Sequence, residues 1–259
     1  MKTKDIYHVI GYPVKHSLSP KIQMQLATKY NQDIAFTAVE IEPQDLEQKI
    51  QEFKSNPSVK GLSVTVPHKE KVFAMCDNSD ELAKDVKAAS NVIFTEDRQM
   101  IALNYDGLGI VNDIKNNHKV SIKNKSVLVI GAGGAAKAVV AAIIAEKPKS
   151  ITIANRTKSK ADDIKKLFAY KYSVDVASFE NITGKYDIVI NSTSASIDGQ
   201  MLPLSKDNFG ENGFAYDLMY AENGTIFTKW CDDNNIKNAD GKGMLMELSK
   251  AVFKYWRNL

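Results

Sequence analysis

The stretch Ser126-Val127-Leu128-Val129-Ile130-Gly131-Ala132-Gly133-Gly134-Ala135-Ala136 decides how the rest of the chain is read. Val127 to Ile130 is a short apolar, β-branched run, long enough for a buried strand and too short for a helix. It stops at a G-x-G-x-x-A loop. From Ala135 to Ala145 the composition turns alanine-rich with Val and Ile, the pattern of a helix packed on a sheet. In a dinucleotide fold Gly131 permits the tight turn, Gly133 lets backbone approach a pyrophosphate, and Ala136 keeps the helix close to the strand. The helix N-terminus adds unpaired N–H groups and a partial positive charge. Gly131, Ala132, Gly133, Gly134 and Ala135 are therefore expected to hold a pyrophosphate. An ordinary strand-to-helix turn is the bland alternative, and the strand before and helix after weigh against it.

The next strand says which nucleotide. Ile151 to Ala154 is a second short apolar run, followed by Asn155-Arg156-Thr157-Lys158-Ser159-Lys160. An NAD site places Asp or Glu about 20 residues past the glycines, on the ribose 2′-hydroxyl. Here Asn155 stands there, with Arg156, the Thr157 hydroxyl and Lys160 behind it. A carboxylate would repel a 2′-phosphate, whereas a guanidinium fork suits one. The pattern predicts NADP rather than NAD, against the reading of a solvated basic turn.

The 259 residues are long for one domain and comfortable for two. A net charge of +3 is too small and too scattered to argue for nucleic acid or a membrane surface. Cys76 and Cys231 stand alone, which suggests neither a disulfide framework nor a zinc site. No apolar run approaches the ~20 residues of a membrane span, and the N-terminal residues do not read as a signal peptide. The expectation is a cytoplasmic protein, monomer or homodimer, acting on a small molecule.

Ahead of the nucleotide region, Ile6–Ile10 reads as a strand closed by Gly11-Tyr12-Pro13. Ser19 before Pro20 reads as a helix cap with proline in the first turn, the helix running from Lys21 to Tyr30. Ser17 and Ser19, spaced i, i+2 at a strand's carboxyl end, also suit a small anion such as a carboxylate, and both readings stay open. His16 has no metal-ligand or triad partner in the sequence and reads as structural. A strand at Ile34–Ile41, a helix at Pro43–Lys54 and a strand in Gly61-Leu62-Ser63-Val64-Thr65-Val66-Pro67-His68-Lys69 complete a β-α-β-α-β alternation, hence a parallel sheet. Ligands collect at the carboxyl ends of such strands, where Ser17, Ser19, Thr65 and Lys69 all fall.

Glu81–Ala88 reads as helical, and Asn91–Phe94 with Met100–Leu103 as a hairpin that delivers Asn104-Tyr105-Asp106-Gly107. A helix is expected at Leu108–Lys115. Later strands are Tyr186–Ile190, ending at Asn191-Ser192-Thr193-Ser194, and Phe214–Tyr220. Asp232–Asn235 reads as loop, and the last helix, Met244–Trp256, sets Leu245, Leu248, Val252 and Trp256 on one face.

Six motifs together are similar to the shikimate dehydrogenase family: Ser17-Leu18-Ser19-Pro20, Val64-Thr65-Val66-Pro67-x-Lys69, Asn104-x-Asp106-Gly107, the Gly131–Ala136 loop, Asn155-Arg156-Thr157, and Asp240-Gly241-x-Gly243-Met244-Leu245. They follow the family's order and spacing along essentially the whole chain. The resemblance implies an α/β fold of two domains. Residues 1–106 plus 240–259 would form a discontinuous substrate-binding catalytic domain with a mainly parallel sheet, and 107–239 a Rossmann-type NADP-binding domain. It implies NADPH-dependent reduction of 3-dehydroshikimate to shikimate, in chorismate and aromatic amino-acid biosynthesis. Carried over, Ser17 and Ser19 bind the substrate carboxylate, Thr65, Asn91 and Tyr220 contact the substrate, and Lys69 with Asp106 forms the catalytic pair. Gly131–Ala135, Asn155, Arg156, Thr157 and Lys160 hold NADP, with Thr193, Leu218 and Gly241 on the cofactor side and Glu81 at its edge. No metal is implied.

The chemistry fits these residue types. Hydride delivery to a ketone builds negative charge on its oxygen, so a nearby ammonium stabilises the transition state and can give a proton. The chain also departs from the family. Asn is usual at Ser63, Asn-Thr at Asn91-Val92, Asn-Thr-Asp at Asn104-Tyr105-Asp106, and Gln at Leu248, while the neighbouring Glu247 points to a different helix face. Loss of hydrogen-bonding partners for a polyhydroxylated ring weakens its binding. These positions motivate a second reading, a paralogue acting on quinate or another hydroxylated ring acid. A third is a non-catalytic NADP-binding module, against which Lys69 and Asp106 weigh.

Overall fold

The computed structural model describes residues 4–196 and 198–259. The chain divides into two compact units, one of the residues up to Tyr105 with Met246–Leu259, the other of Asp106–Leu245.

The first unit runs β1 (Asp5–Gly11), α1 (Ser19–Lys29), β2 (Ile34–Glu40), α2 (Leu46–Ser55), β3 (Val59–Val64), α3 (Lys69–Ala74), β4 (Asn78–Ser79), α4 (Glu81–Val86), β5 (Asn91–Phe94) and β6 (Met100–Leu103). Its sheet has the order β2-β1-β3-β5-β6-β4. β1 lies parallel to β2 and β3, and β5 is antiparallel to β3 and β6. The parallel half follows from helical crossovers and the antiparallel half from the short hairpin. α2 buries Leu46, Ile50 and Phe53, an i, i+4, i+7 stripe against a core of Ile10, Leu62, Val72 and Met100. Its carboxyl end is closed by Arg98, in the β5–β6 turn. The guanidinium donates to the carbonyls of Phe53, Lys54, Asn56 and Val59 at 2.7–3.0 Å, tying the helix end to the start of β3.

The second unit runs α5 (Asp106–Asn112), widened into a π-turn over Asp113–Asn117, then β7 (Ser126–Ile130), α6 (Gly134–Ala145), β8 (Ser150–Ala154), α7 (Lys158–Phe168), β9 (Asp175–Ala177), β10 (Tyr186–Asn191), β11 (Phe209–Asp217), α8 (Ile226–Asp233) and β12 (Lys237–Ala239). Its strands pair in parallel, in the order β12-β11-β10-β7-β8-β9. The order reverses between β7 and β10, and that switch point is where open parallel sheets take ligands. The last helix, α9 (Lys242–Arg257), carries Trp256 and Phe253, which stack on Tyr7 and Tyr30 of the first unit with ring centroids 4.7 and 5.7 Å apart.

The fold matches the α/β expectation, with corrections. β11 ends at Asp217, not Tyr220. The Asp217 carboxylate takes the Met219 N–H at 3.0 Å and turns the chain away from its neighbour. α1 begins at Ser19 itself, so Ser19 is no cap; Leu18 holds that position and no side chain caps the helix. The Ser17 Oγ instead accepts from the Ser19 N–H. α7, for which no helix was expected, buries only Ala161, Ile164 and Phe168 under a lysine- and aspartate-rich surface. Asp232 and Asp233, read as loop, close α8, whose start is fixed by a capping box between Thr225 and Thr228.

Candidate active site

In the first unit the strand ends gather most of the expected substrate residues. Ser17 and Ser19 follow β1, half-buried and buried respectively. Thr65 follows β3, its N–H donating to Ile10 O at 2.9 Å, which ties the ends of β1 and β3 together. Lys69, half-buried, opens α3, and its carbonyl accepts from the Ala89 N–H. The preceding His68 is fully buried and donates Nε2–H to Ile41 O at 2.8 Å, anchoring the turn that carries the lysine. Burial pushes its imidazole below the ordinary histidine range. His16, by contrast, is exposed.

Asn91 opens β5 with no exposed surface. Its Nδ2 donates to Ser63 Oγ at 3.0 Å, and its Oδ1 accepts from Ser90 Oγ at 2.9 Å. Ser90 Oγ in turn accepts from the Tyr105 N–H at 2.8 Å. Hydrogens therefore run in one direction, from Tyr105 through Ser90 and Asn91 to Ser63. Because Ser63 Oγ is the acceptor in that last bond, its own O–H is left to donate. Glu81, exposed, begins α4 behind Asp80, whose side chain caps the helix through the Ala83 N–H.

In the second unit Asp106 is buried at the start of α5. Gly131 follows β7 with φ +110°, and a side chain there would meet Ser192 Oγ at 2.5 Å, so only glycine serves. Nothing lies within 4 Å of where a Cβ on Gly133 would stand, which leaves clear space before the first turn of α6. The backbone N–H groups of that turn, including those of Gly134 and Ala135, are the donors a pyrophosphate takes. Gly131 N–H donates to Ala154 O at 2.8 Å, so Asn155 leaves β8 directly beside the glycine loop. Asn155 Nδ2 holds Thr157 O at 2.8 Å, and Arg156, Thr157 and Lys160 are exposed. That surface of cations beside an open anion cradle is the donor set a phosphorylated dinucleotide requires.

Thr193, Leu218 and Gly241 are brought together by residues to which the sequence reading gave no role. Asn191 and Asp217, both without exposed surface, end β10 and β11. Asn191 Oδ1 accepts from the Thr193 N–H and Oγ1–H, at 3.0 and 2.7 Å, and Asn191 Nδ2 donates to Asp217 Oδ1 at 2.9 Å. The Leu218 N–H donates to Asn191 O. A side chain at Gly241 would overlap Leu218 O, and Gly241 N–H donates to Met219 O at 3.0 Å. Burial pushes the Asp217 carboxyl up, opposed by hydrogen bonds from Thr225, Ser196, Met219 and Asn191. Their signal in the sequence was a polar residue closing each of two apolar runs. Tyr220, half-buried, lies three residues past the end of β11.

Residues 9–93 match the shikimate dehydrogenase substrate-binding domain, and residues 113–198 match the shikimate/quinate 5-dehydrogenase family. Two relatives named shikimate dehydrogenase (NADP(+)), from Marinobacter nauticus and a Janthinobacterium species, are 34% and 38% identical. The alignments cover 99% and 98% of this chain and 94% and 93% of theirs. The chain belongs to the shikimate dehydrogenase family. The crystal structure of shikimate dehydrogenase from Aquifex aeolicus superposes with a TM-score of 0.89 at 32% identity, covering all of this chain and 94% of that one.

Against that family the four departures separate. Val92 packs in the core beside Leu62, so this replacement is absorbed by packing and does not face a ligand, contrary to the expectation for it. Ser63 is nearly buried and bonded to Asn91. Tyr105 is half-buried with its ring 6.3 Å from that of Tyr255, and burial pushes its hydroxyl up to about 12. Leu248 is half-buried on α9, and Glu247 beside it pairs with Lys250 at 2.7 Å.

Proposed function

We infer that the protein is an NADP-dependent shikimate dehydrogenase, reducing 3-dehydroshikimate to shikimate in chorismate biosynthesis. The observation that carries this is the full-length likeness to enzymes of that name, combined with a glycine loop that opens onto exposed Arg156 and Lys160. The first unit serves as the substrate domain and the second as the nucleotide domain. Gly131–Ala135 and Thr193 hold the pyrophosphate, Asn155, Arg156, Thr157 and Lys160 the adenosine phosphate, and Leu218 and Gly241 flank the nicotinamide, with Glu81 at the cofactor's edge. When bound, NADPH supplies the hydride that reduces the ring ketone. Ser17 and Ser19 clamp the ring carboxylate, while Thr65, Asn91 and Tyr220 orient the ring. Lys69 places its ammonium against the carbonyl oxygen as negative charge develops and delivers the proton that completes the alcohol. Asp106 is the second member of the catalytic pair that the family likeness implies. The enzyme works in the cytoplasm.

The test is NADPH consumption by purified protein with 3-dehydroshikimate. Stoichiometric formation of shikimate and NADP is expected. Tight NADPH binding without turnover would sink the reading in favour of a binding module.

A paralogue acting on quinate or another ring acid is the second reading. Ser63, Tyr105 and Leu248 favour it, because they alter polar groups in the substrate domain. Val92 no longer counts toward it.

A further inference from the structure

Thr193, Leu218, Gly241 and the glycine loop of the second unit meet at one buried pair. Asn191 fixes Thr193 through two hydrogen bonds and receives the Leu218 N–H on its carbonyl. Asp217 holds Asn191 Nδ2 and the Met219 N–H on Oδ1, and the Thr225 hydroxyl on Oδ2 at 2.7 Å. Met219 O then receives the N–H of Gly241. On the other side, the residue after Asn191 reaches the glycine loop. Ser192 N–H and Oγ–H both donate to Ile130 O, at 2.8 and 2.7 Å, and the missing side chain of Gly131 is replaced by Ser192 itself. A network of this density, centred on two fully buried and paired side chains, holds its loops in one arrangement. Neither residue is among those assigned to contact the cofactor.

We propose that the Asn191–Asp217 pair is the positioning element of the nucleotide site, setting the distance from the glycine loop and Thr193 to the wall made by Leu218 and Gly241. The proposal rests on the NADP reading of that site. Asp217 serves as an acceptor to every partner named above. An amide in its place turns a donor toward at least one donor, and an aspartate at 191 sets two carboxylates face to face. Either change shifts one loop against the other without touching the cofactor. Exchanging the two residues restores an amide facing a carboxylate.

The experiment compares wild type, Asp217→Asn, Asn191→Asp and the exchanged double variant. It measures NADPH affinity by fluorescence titration, KM for NADP and for shikimate, and thermal unfolding. Each single variant is expected to weaken NADPH binding about tenfold or more while shikimate KM changes about twofold or less. The exchanged variant should recover most of that loss, as expected for a coupled pair. NADPH affinity within about twofold of wild type in both folded single variants, or an exchanged variant no better than the poorer single one, would overturn the proposal. Should the single variants not fold, Ser196→Ala carries the test. Ser196 accepts from Asn191 Nδ2 at 3.3 Å and bonds Asp217, and its loss should raise NADP KM about threefold. An unchanged NADP KM in that variant overturns the proposal equally. Wild-type protein that binds no NADPH refutes the NADP reading itself, a result separable from all of these.

Discussion

The two sheets treat the carboxyl ends of their strands differently. In the second unit the ends of β7, β10 and β11 are joined through backbone groups, small residues and one buried amide–carboxylate pair. On the reading proposed above, the pyrophosphate would be met there by N–H groups and a helix terminus, and side-chain identity would matter chiefly at Arg156 and Lys160, beside the 2′-phosphate. In the first unit the same end of the sheet is a set of side chains, with Ser63, Ser90 and Asn91 bonded in a fixed direction. Each identity there decides whether a donor or an acceptor is presented. On that reading the cofactor half is generic except where Arg156 and Lys160 stand, and its geometry is tightly determined. The substrate half is where a few substitutions change what is recognised.

If that contrast holds, the largest effect belongs to the one side chain asked to do chemistry. Lys69→Ala is expected to lower kcat by about 10²–10⁴-fold with NADPH affinity nearly unchanged. Pre-steady-state and binding measurements check both halves, and loss of cofactor binding would place Lys69 wrongly. On the generic side, Gly131→Ala meets a positive φ and Ser192 at once. It should cost about 2 kcal/mol of stability and raise NADP KM, read by thermal unfolding and initial rates. A variant as stable as wild type would show that the loop is less constrained than the contacts suggest.

Arg156→Ala comes next and sharpens the cofactor assignment. Loss of a charge-assisted contact to the 2′-phosphate should weaken NADP about tenfold to a hundredfold and leave NAD nearly untouched. Equal loss for both cofactors would remove the argument for the phosphate. Ser63→Ala leaves Asn91 Nδ2 without its acceptor and removes the Ser63 hydroxyl donor. About 1–2 kcal/mol of stability should be lost, with a rise in shikimate KM and no change for NADP.

The smallest effect is one of pH. His68 is held neutral, chiefly by burial and further by Lys71, against the Ile41 bond that favours its charge. The unfolded chain protonates near pH 6.5. The contribution is therefore complete above that value and is lost as pH falls from about 6.5 toward the lower folded value. His8, lowered by burial and by Lys49, acts in the same direction. His68→Gln should accordingly flatten only part of the fall in Tm across that window.

The same contrast explains what the sequence disclosed. The glycine loop, the basic turn after β8 and the strands around them were legible because short apolar runs, small residues and charges carry local meaning. α7 and α8 were missed because the first buries only three apolar residues beneath a charged surface, and the second lies where Asp232 and Asp233 read as loop. The end of β11 was misplaced because a carboxylate, not a break in hydrophobicity, turns the chain at Asp217. Asn191 and Asp217 went unassigned for a related reason. Their partners are 26 residues apart in sequence, and nothing local announces the bond. Val92 was legible only as a change of residue type; that it faces the core depends on the register of β5 against β3.

The most direct test of a generic cofactor half joined to a tuned substrate half is initial-rate oxidation of shikimate and of quinate, each with NADP and with NAD. The account predicts a strong preference for NADP whichever ring acid is used, and turnover of shikimate ahead of quinate. Shikimate turnover that is negligible with either cofactor, or equal rates with NAD and NADP, would contradict it.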